Sequence, residues 1–273
     1  MTREDARRIL AEAGVPDPAG DVRRLWEYAF LGYGEKIGGQ DRDRPNDLTL
    51  SVFNSAVKQR ARRVPVSHIV QGREFWKDWF TVTPDVLDPR PDTETLIETA
   101  LLSPFSRVLD LGTGTGCILI SLLLERAEAT GVGTDISDKA LKVAAKNAKF
   151  HRVTDRLDFQ ISDWFGDVEG QFDLIVSNPP YIAKDEMADL QPEVRDYEPR
   201  IALTDENDGL NAYRAIAAGA PDHLTSGGRL LVEIGPTQAE AVSALFKVAG
   251  LVNITVHPDL DGRDRVVAAQ KSA

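Results

Sequence analysis

Apolar positions recur at helical spacing through the first third of the chain and gather into short, strand-like runs after it. TREDARRILAEAG keeps its apolar residues on one helical face and ends at Gly14, suited to the left-handed turn that closes a helix. DPAGDVRRLWEYAFLG repeats the pattern around Leu25, Trp26, Ala29 and Phe30. DLTLSVFNSAVKQRARR supplies a third helix, with Asp47 or Thr49 as its expected N-cap. In HIVQGREFWKDWFTVT, aromatic and β-branched residues surround Lys77 and Asp78, which predicts a β-hairpin.

From about Asp92 helices and strands alternate. DTETLIETALL reads as a helix with Asp92 or Thr93 near its cap, followed by the strand RVLDL and the helix GCILISLLLERA. ATGVGTDI is a strand ending at Asp135, SDKALKVAAKNAKF a helix, and LDFQIS and FDLIVSN two further strands. The helix GLNAYRAIAAGAPDHL, the strand GGRLLVEIG and the helix TQAEAVSALFKVAG come next. The last stretch, LVNITVHPDLDGRDRVVAAQ, reads as two strands joined by a turn at Asp261 and Gly262. Alternation of this kind implies an α/β fold with a mostly parallel sheet and helices on both faces. A closing pair of strands with no helix between them has to run antiparallel. The expected organisation is a small helical domain over residues 1–66, a β-hairpin and linker over 67–91, and the main α/β domain over 92–273.

Charge divides the chain in the same place. Residues 1–91 carry 15 Lys and Arg against 14 Asp and Glu, and residues 92–273 carry 17 against 29, for a net charge of −11. An acidic main body repels a nucleic-acid backbone, so no direct nucleic-acid substrate is expected. The 273 residues are 42% hydrophobic and 27% charged, and no apolar run is long enough to cross a bilayer. The opening MTREDARRIL lacks the apolar core of a signal peptide, so a cytoplasmic protein without membrane attachment is expected, working as a monomer. One cysteine, Cys117, and four scattered histidines provide neither a disulfide nor a metal-ligand spacing, and no metal is expected.

The candidate chemistry sits at strand ends. In VLDLGTGTGC a strand runs into Gly112, Gly114 and Gly116, with Thr113 and Thr115 between them, and then into a helix. Glycines allow a sharp turn and a close approach of ligand to backbone. The spacing is not the G-x-G-x-x-G of dinucleotide-binding folds, and no Walker lysine follows. The next strand ends in Asp135, whose carboxylate can accept from both hydroxyls of a ribose. The third ends in SDWF, where Asp163 can accept from an exocyclic amine and Trp164 offers a flat apolar face. Three successive strand ends of this kind point to a nucleoside-containing cofactor rather than to capping residues alone. The set resembles the S-adenosylmethionine-dependent methyltransferases with a Rossmann-like seven-stranded sheet, which share the closing strand pair. That resemblance implies S-adenosylmethionine as cofactor, held by Gly112, Thr113, Gly114, Thr115, Gly116, Asp135, Asp163, Trp164 and Asn178.

FDLIVSNPPYI ends a strand in Asn178, Pro179, Pro180 and Tyr181, which are the candidate catalytic residues. A conjugated nitrogen is a poor nucleophile, and accepting both of its hydrogens draws it out of plane. The Asn178 side-chain oxygen and the Pro179 carbonyl suit that task, and Tyr181 can stack on a planar acceptor. In methyltransferases such a motif serves adenine N6 and glutamine amides alike.

Over almost the whole chain, the helical N-terminus, RPDTE, DLGTGTG, SDWF, FDLIVSNPPYI, the EP of DYEPRIAL, DGLNAYRAI, EIGPTQ and DLDGRDRVV resemble the bacterial release-factor glutamine methyltransferases, the PrmC/HemK family. The resemblance implies methylation of the glutamine side-chain amide in the Gly-Gly-Gln loop of class-1 peptide-chain release factors. The alternatives are a ribosomal-protein glutamine methyltransferase, an adenine-N6 methyltransferase and a non-catalytic cofactor-binding module. The chain departs from the family's pattern at Asp88, where an apolar residue is usual, and at His68, where tyrosine is expected.

Several residues stay open between two roles. Arg90 and Glu94 are either pocket wall or a linker ion pair, and Glu233 either borders the site or caps its strand. Cys117 reads as a small buried filler at a helix start. Lys58, Arg60, Arg62 and Arg63 form a basic cluster that is either a docking surface for an acidic protein or a solvated helix face. IGGQ, residues 37–40, mimics the methylated tripeptide, but a loop between helices is the simpler reading.

Overall fold

A computed structural model describes residues 1–31 and 45–273, so IGGQ lies outside the described residues. The chain divides into two compact units, one of residues 1–72 with 191–197 and one of residues 73–190 with 198–273. The boundary therefore falls at Gly72, beyond the expected 66, and the hairpin packs as part of the larger unit.

The smaller unit opens with helices α1 (Arg3–Glu12), α2 (Pro18–Leu31), α3 (Asp47–Ala61) and α4 (Val66–Val70). Thr2 and Asp5 form a reciprocal capping box on α1, and Gly14 follows its end in the left-handed region at φ 72°. The cap of α3 is Asn46, one residue before the predicted Asp47: its side chain accepts from Thr49 N at 2.8 Å. Leu10, Leu25, Phe53, Val57 and Ile69 close the core of this unit, with Trp26 set edge-on to Phe53 at 4.8 Å.

In the larger unit strands β1 (Arg73–Phe75) and β2 (Asp78–Phe80) form the predicted hairpin. Its turn is at Trp76 and Lys77 because Trp76 takes a left-handed φ of 58°, and the residues before Arg73 are helical as α4, not strand. A 3-10 turn (Pro91–Thr93) leads into α5 (Glu94–Leu101). Alternation then follows the sequence pattern: β3 (Arg107–Leu111), α6 (Cys117–Glu125), β4 (Thr130–Asp135), α7 (Asp138–Phe150), β5 (Leu157–Ile161) and β6 (Phe172–Ser177). After the short α8 (Pro192–Tyr197) come α9 (Asn211–His223), β7 (Leu224–Glu233), α10 (Ala239–Val248), β8 (Val252–Pro258) and β9 (Asp264–Gln270).

These strands form one seven-stranded sheet in the order β5-β4-β3-β6-β7-β9-β8, parallel except for β9, which runs antiparallel to both neighbours. Side chains alternate across it. Val108, Leu174, Val176 and Leu231 face one core with Leu96, Ile97 and Ile118. Leu109, Leu111, Ile175 and Val232 face the other with Tyr213 and Phe246. From β3 the chain builds outward through β4 and β5, then returns to the other side of β3 with β6. The strand order thus reverses between β3 and β6, and in an open α/β sheet a ligand crevice forms beyond the strand ends at that point. Leu111 is level with Thr134 on β4 and with Ser177 on β6, so the glycine turn, Asp135 and Asn178 emerge side by side.

The segment 191–197 packs in the smaller unit through one buried ion cluster. Arg60, 5% exposed, bonds Asp21 and Glu193, each at 2.7 Å, and Arg63 also bonds Glu193. Half of the predicted basic cluster is therefore committed internally, leaving only Lys58 and Arg62 exposed.

Candidate active site

Gly112, Gly114 and Gly116 all take left-handed φ values, 69°, 55° and 78°. The turn is tied to the next strand by Thr113 N to Thr134 O at 2.8 Å and to β3 by the Thr113 hydroxyl on Asp110 at 2.6 Å. Side chains added at Gly112 or Gly114 would meet nothing within 4 Å, so both face open space. Gly116 differs, since a Cβ there would lie 3.0 Å from Ile120 and 3.2 Å from Ala144. It is a packing glycine between α6 and α7, and it does not line the cavity.

That cavity, of about 580 Å³, is lined by Gly112, Thr113, Gly114, Thr115, Asp135, Asp163, Trp164, Asn178 and Pro180, so it brings together most of the predicted site. The Asp135 carboxylate accepts from Gly114 N at 3.0 Å and Ser137 N at 2.9 Å. Burial raises its pKa, and these backbone donors oppose the rise. Trp164 stands half-buried on a left-handed φ of 51°, and the Ser162 hydroxyl bonds its carbonyl at 2.9 Å. Arg90 lines the cavity while pairing with Glu198 at 2.6 Å, so its pocket-wall role is filled and its ion pair is made with Glu198 rather than with Glu94. Asp88 is buried in the same network, 2.8 Å from Arg73 and 3.9 Å from Arg90, which explains how a charge is accommodated at a usually apolar position. Glu94 instead accepts from Trp76 N at 2.8 Å and holds the hairpin.

Pro179 and Tyr181 do not themselves line the cavity, although Pro179 joins the lining residues Asn178 and Pro180 and Tyr181 follows Pro180. The Tyr181 phenol donates to Glu233 Oε1 at 3.3 Å, and burial, then the Glu233 charge, pushes its pKa up. Asn178 Nδ2 donates to the Thr93 hydroxyl at 3.2 Å. Glu233, 1% exposed, is therefore neither a wall nor a cap but a buried carboxyl behind the acceptor turn, pushed up to about 7 by burial. Cys117 is a buried residue on the cavity wall whose thiol burial pushes up to about 12, consistent with an inert filler.

Four supporting residues escaped the sequence reading. Gln238 donates to the Tyr181 carbonyl at 2.9 Å and accepts from Gly235 N at 2.9 Å, fixing the far end of the acceptor turn. Gly209, at φ 74°, lies so close that a Cβ would come within 2.3 Å of the Tyr181 carbonyl oxygen. Asn147 on α7 bonds Thr81 twice and the Thr115 carbonyl once, joining the linker to the glycine turn. Asp110, fully buried beneath that turn, is pushed up to about 7 by burial. The motifs DGLN and EIGPTQ contain two of them, but only tertiary contact assigns them to Tyr181. Among the described residues no group of three or more His, Cys, Asp or Glu is placed to hold a metal ion.

Open space over two left-handed glycines, a partly buried carboxylate beside it and an indole on the same wall fit a nucleoside-containing group. The seven-stranded sheet with its antiparallel closing pair, and this crevice at the reversal of strand order, are the arrangement expected of the methyltransferase class that the sequence resembles. Residues 86–192 match the methyltransferase small domain and residues 2–70 the PrmC N-terminal domain. A release factor glutamine methyltransferase of Cereibacter sphaeroides is 53% identical over the full length of both chains. One from Rhodospirillum rubrum is 41% identical over 97% of this chain and 82% of its own. The chain belongs to the release factor glutamine methyltransferase family. A Pyrococcus furiosus methyltransferase structure shares the fold, with a TM-score of 0.55 and 16% identity over 71% of this chain and 89% of its own.

Proposed function

We propose that this enzyme transfers the methyl group of S-adenosylmethionine to the side-chain amide nitrogen of the glutamine in the Gly-Gly-Gln loop of class-1 release factors, in the cytoplasm. The observation that carries the reading is the meeting of Asn178 and Pro180 with the glycine turn, Asp135 and Trp164 around one cavity. The names of the full-length relatives support the substrate. Bound S-adenosylmethionine supplies a methyl group already activated on a sulfonium. The chain's task is then alignment and activation of the acceptor. The open backbone at Gly112 and Gly114 admits the cofactor closely, Asp135 accepts from ribose hydroxyls, and Trp164 covers the base. Asn178 Oδ1 and the Pro179 carbonyl accept the two amide hydrogens, which weakens conjugation of the nitrogen lone pair. The same acceptors favour the positive charge that builds on nitrogen during transfer. Arg90, held by Glu198, lines the same cavity. The net charge of −11 favours a protein acceptor over a polyanionic one.

Transfer of labelled methyl from S-adenosylmethionine tests this directly. A release factor should accept label, its loop Gln→Ala variant and duplex DNA should not, and Asn178→Ala enzyme should lose at least about 100-fold in turnover, the scale of one lost transition-state hydrogen bond. Label on DNA, or equal labelling of the Gln→Ala factor, overturns the reading.

A further inference from the structure

Pro179 and Pro180 deprive the acceptor turn of two backbone donors. A segment with no N–H of its own to give has to be held by donors that reach its carbonyls. The near end of the turn is anchored on β6, where the Ser177 hydroxyl donates to Leu111 O at 2.7 Å. The Pro179 carbonyl, proposed to accept one of the substrate's amide hydrogens, lies beyond that anchor. Its position is fixed only if the far end is held as well.

Gln238 holds it. Its Oε1 accepts from Gly235 N at 2.9 Å, and a backbone N–H can only donate. That contact fixes which end of the amide is the oxygen. The NH₂ end donates to the Tyr181 carbonyl at 2.9 Å and to the Gly209 carbonyl at 3.3 Å, two groups that can only accept. Gly209 presses on the same contact: on its left-handed backbone a Cβ would lie 2.3 Å from Tyr181 O and 3.1 Å from Gln238 Nε2. Past the turn, Ile182 N donates to Leu203 O at 3.0 Å and Lys184 N to Asn207 O at 2.9 Å. The chain leaving Tyr181 therefore runs along the segment that brings Thr204, Asp205 and Glu206 to the cavity. One amide spans the acceptor turn, that segment and the chain just after β7.

We infer that Gln238 is a positioning residue: by clamping the Tyr181 carbonyl it sets where the Pro179 carbonyl stands against the acceptor nitrogen. This role rests on the proposed amide acceptor and supplies the side chain that holds one of its two hydrogen-bond acceptors in place. A displacement of about 1 Å at such a point can lower a rate on the order of 100-fold. The glycine turn, Asp135 and Trp164 leave other strands and none of them bonds Gln238, so the clamp acts on turnover and not on cofactor binding.

Gln238→Glu in the full-length enzyme tests it. The substitution keeps size and the oxygen that serves Gly235 N, but sets a second oxygen against two carbonyls. At pH 8.5, kcat on a release factor should fall by about 10-fold or more, with KM and S-adenosylmethionine affinity within 2-fold of wild type. Relative to wild type, kcat should recover as pH falls to 6, because a protonated carboxyl can again donate to the Tyr181 carbonyl. A merely structural role would alter KM and affinity together and would show no such recovery. Gly209→Ala pushes on the same carbonyl, so the double variant should lose less than the product of the single losses. Independently of any substrate, a crystal structure of Gln238→Glu at pH 8.5 should show the Tyr181 carbonyl displaced by about 1 Å. An unmoved carbonyl overturns the inference, as does unchanged kcat where the wild type turns over. A wild type inactive on release factors, with the carbonyl displaced, would fault the substrate reading and leave the clamp standing. Thermal denaturation identifies a failure to fold, and in that event Gly209→Ala carries the same expectations for kcat and for the carbonyl.

Discussion

At the scale of single residues, two glycines of one turn do different work although the sequence writes them alike. Gly114 faces open cavity and Gly116 faces Ile120 and Ala144, both on left-handed backbone. Alanine at either position incurs roughly 1–2 kcal/mol for the left-handed conformation. At Gly116 the added methyl also crowds α6 against α7, and an extra loss of about 1–3 kcal/mol is expected from overpacking. Gly114→Ala should instead keep most of the stability and weaken S-adenosylmethionine binding by 10-fold or more, because its methyl projects where the ligand approaches. Urea denaturation and calorimetric titration of the two variants should give opposite rankings. Equal loss of affinity in both would show that the turn acts as a unit.

At the scale of elements, helix α3 carries a cation that the linear pattern assigns to its surface. Arg60 sits among Lys58, Arg62 and Arg63 in the sequence, yet it is buried between Asp21 on α2 and Glu193 on α8. Removing Arg60 leaves Glu193 with Arg63 and Asp21 with Arg24 alone, so the cost should approach, without exceeding, the figure of about 3–5 kcal/mol for a broken buried pair. Arg60→Met should lower the stability of the chain by that order in urea denaturation. Charge reversal at the exposed Lys58 and Arg62 should change it by no more than about 0.5 kcal/mol. Those two positions are also the part of the cluster still free to meet an acidic partner, so any charge effect on KM for a whole release factor belongs to them.

At the scale of the whole molecule, two buried carboxyls, Asp110 under the glycine turn and Glu233 under the acceptor turn, impose a pH dependence on folding. Burial pushes each up to about 7 in the folded chain, whereas in the unfolded chain they ionise near about 4. Between these values the folded state holds protons that the unfolded state has released. Stability from these groups is therefore full below about 4, falls as pH rises towards about 7, and levels off above it. Asp110→Asn keeps an acceptor for the Thr113 hydroxyl and removes one share of that fall. Without ligand it should match the wild type near pH 4 and exceed it by on the order of 3 kcal/mol at pH 8. Parallel denaturation curves across that range would show that Asp110 ionises freely in the fold.

Much of this protein was legible in the chain itself. Period and punctuation located the strands from Arg107 onward because a buried parallel strand must be apolar, and the turns that end such strands must be glycine, proline or capping residues. The seven-stranded fold, the glycine turn, Asp135, Asp163, Trp164 and Asn178 followed from those local constraints together with motif resemblance. What the sequence could not assign are roles set by contacts between distant segments. His68, Ile69 and Val70 lie in helix α4 although they are β-prone or aromatic-like in the local pattern, and Ile69 is buried in the helical core. Asn46 rather than Asp47 caps α3, because a cap depends on which side chain reaches Thr49 N. Gly116 packs helices, Arg60 closes a buried cluster with a residue 133 positions away, and Tyr181 turns to Glu233. Local preference determines where an element begins and ends. Only the folded chain decides which face of Asn178 meets Thr93, since a hydrogen-bond direction exists only once both partners are in place.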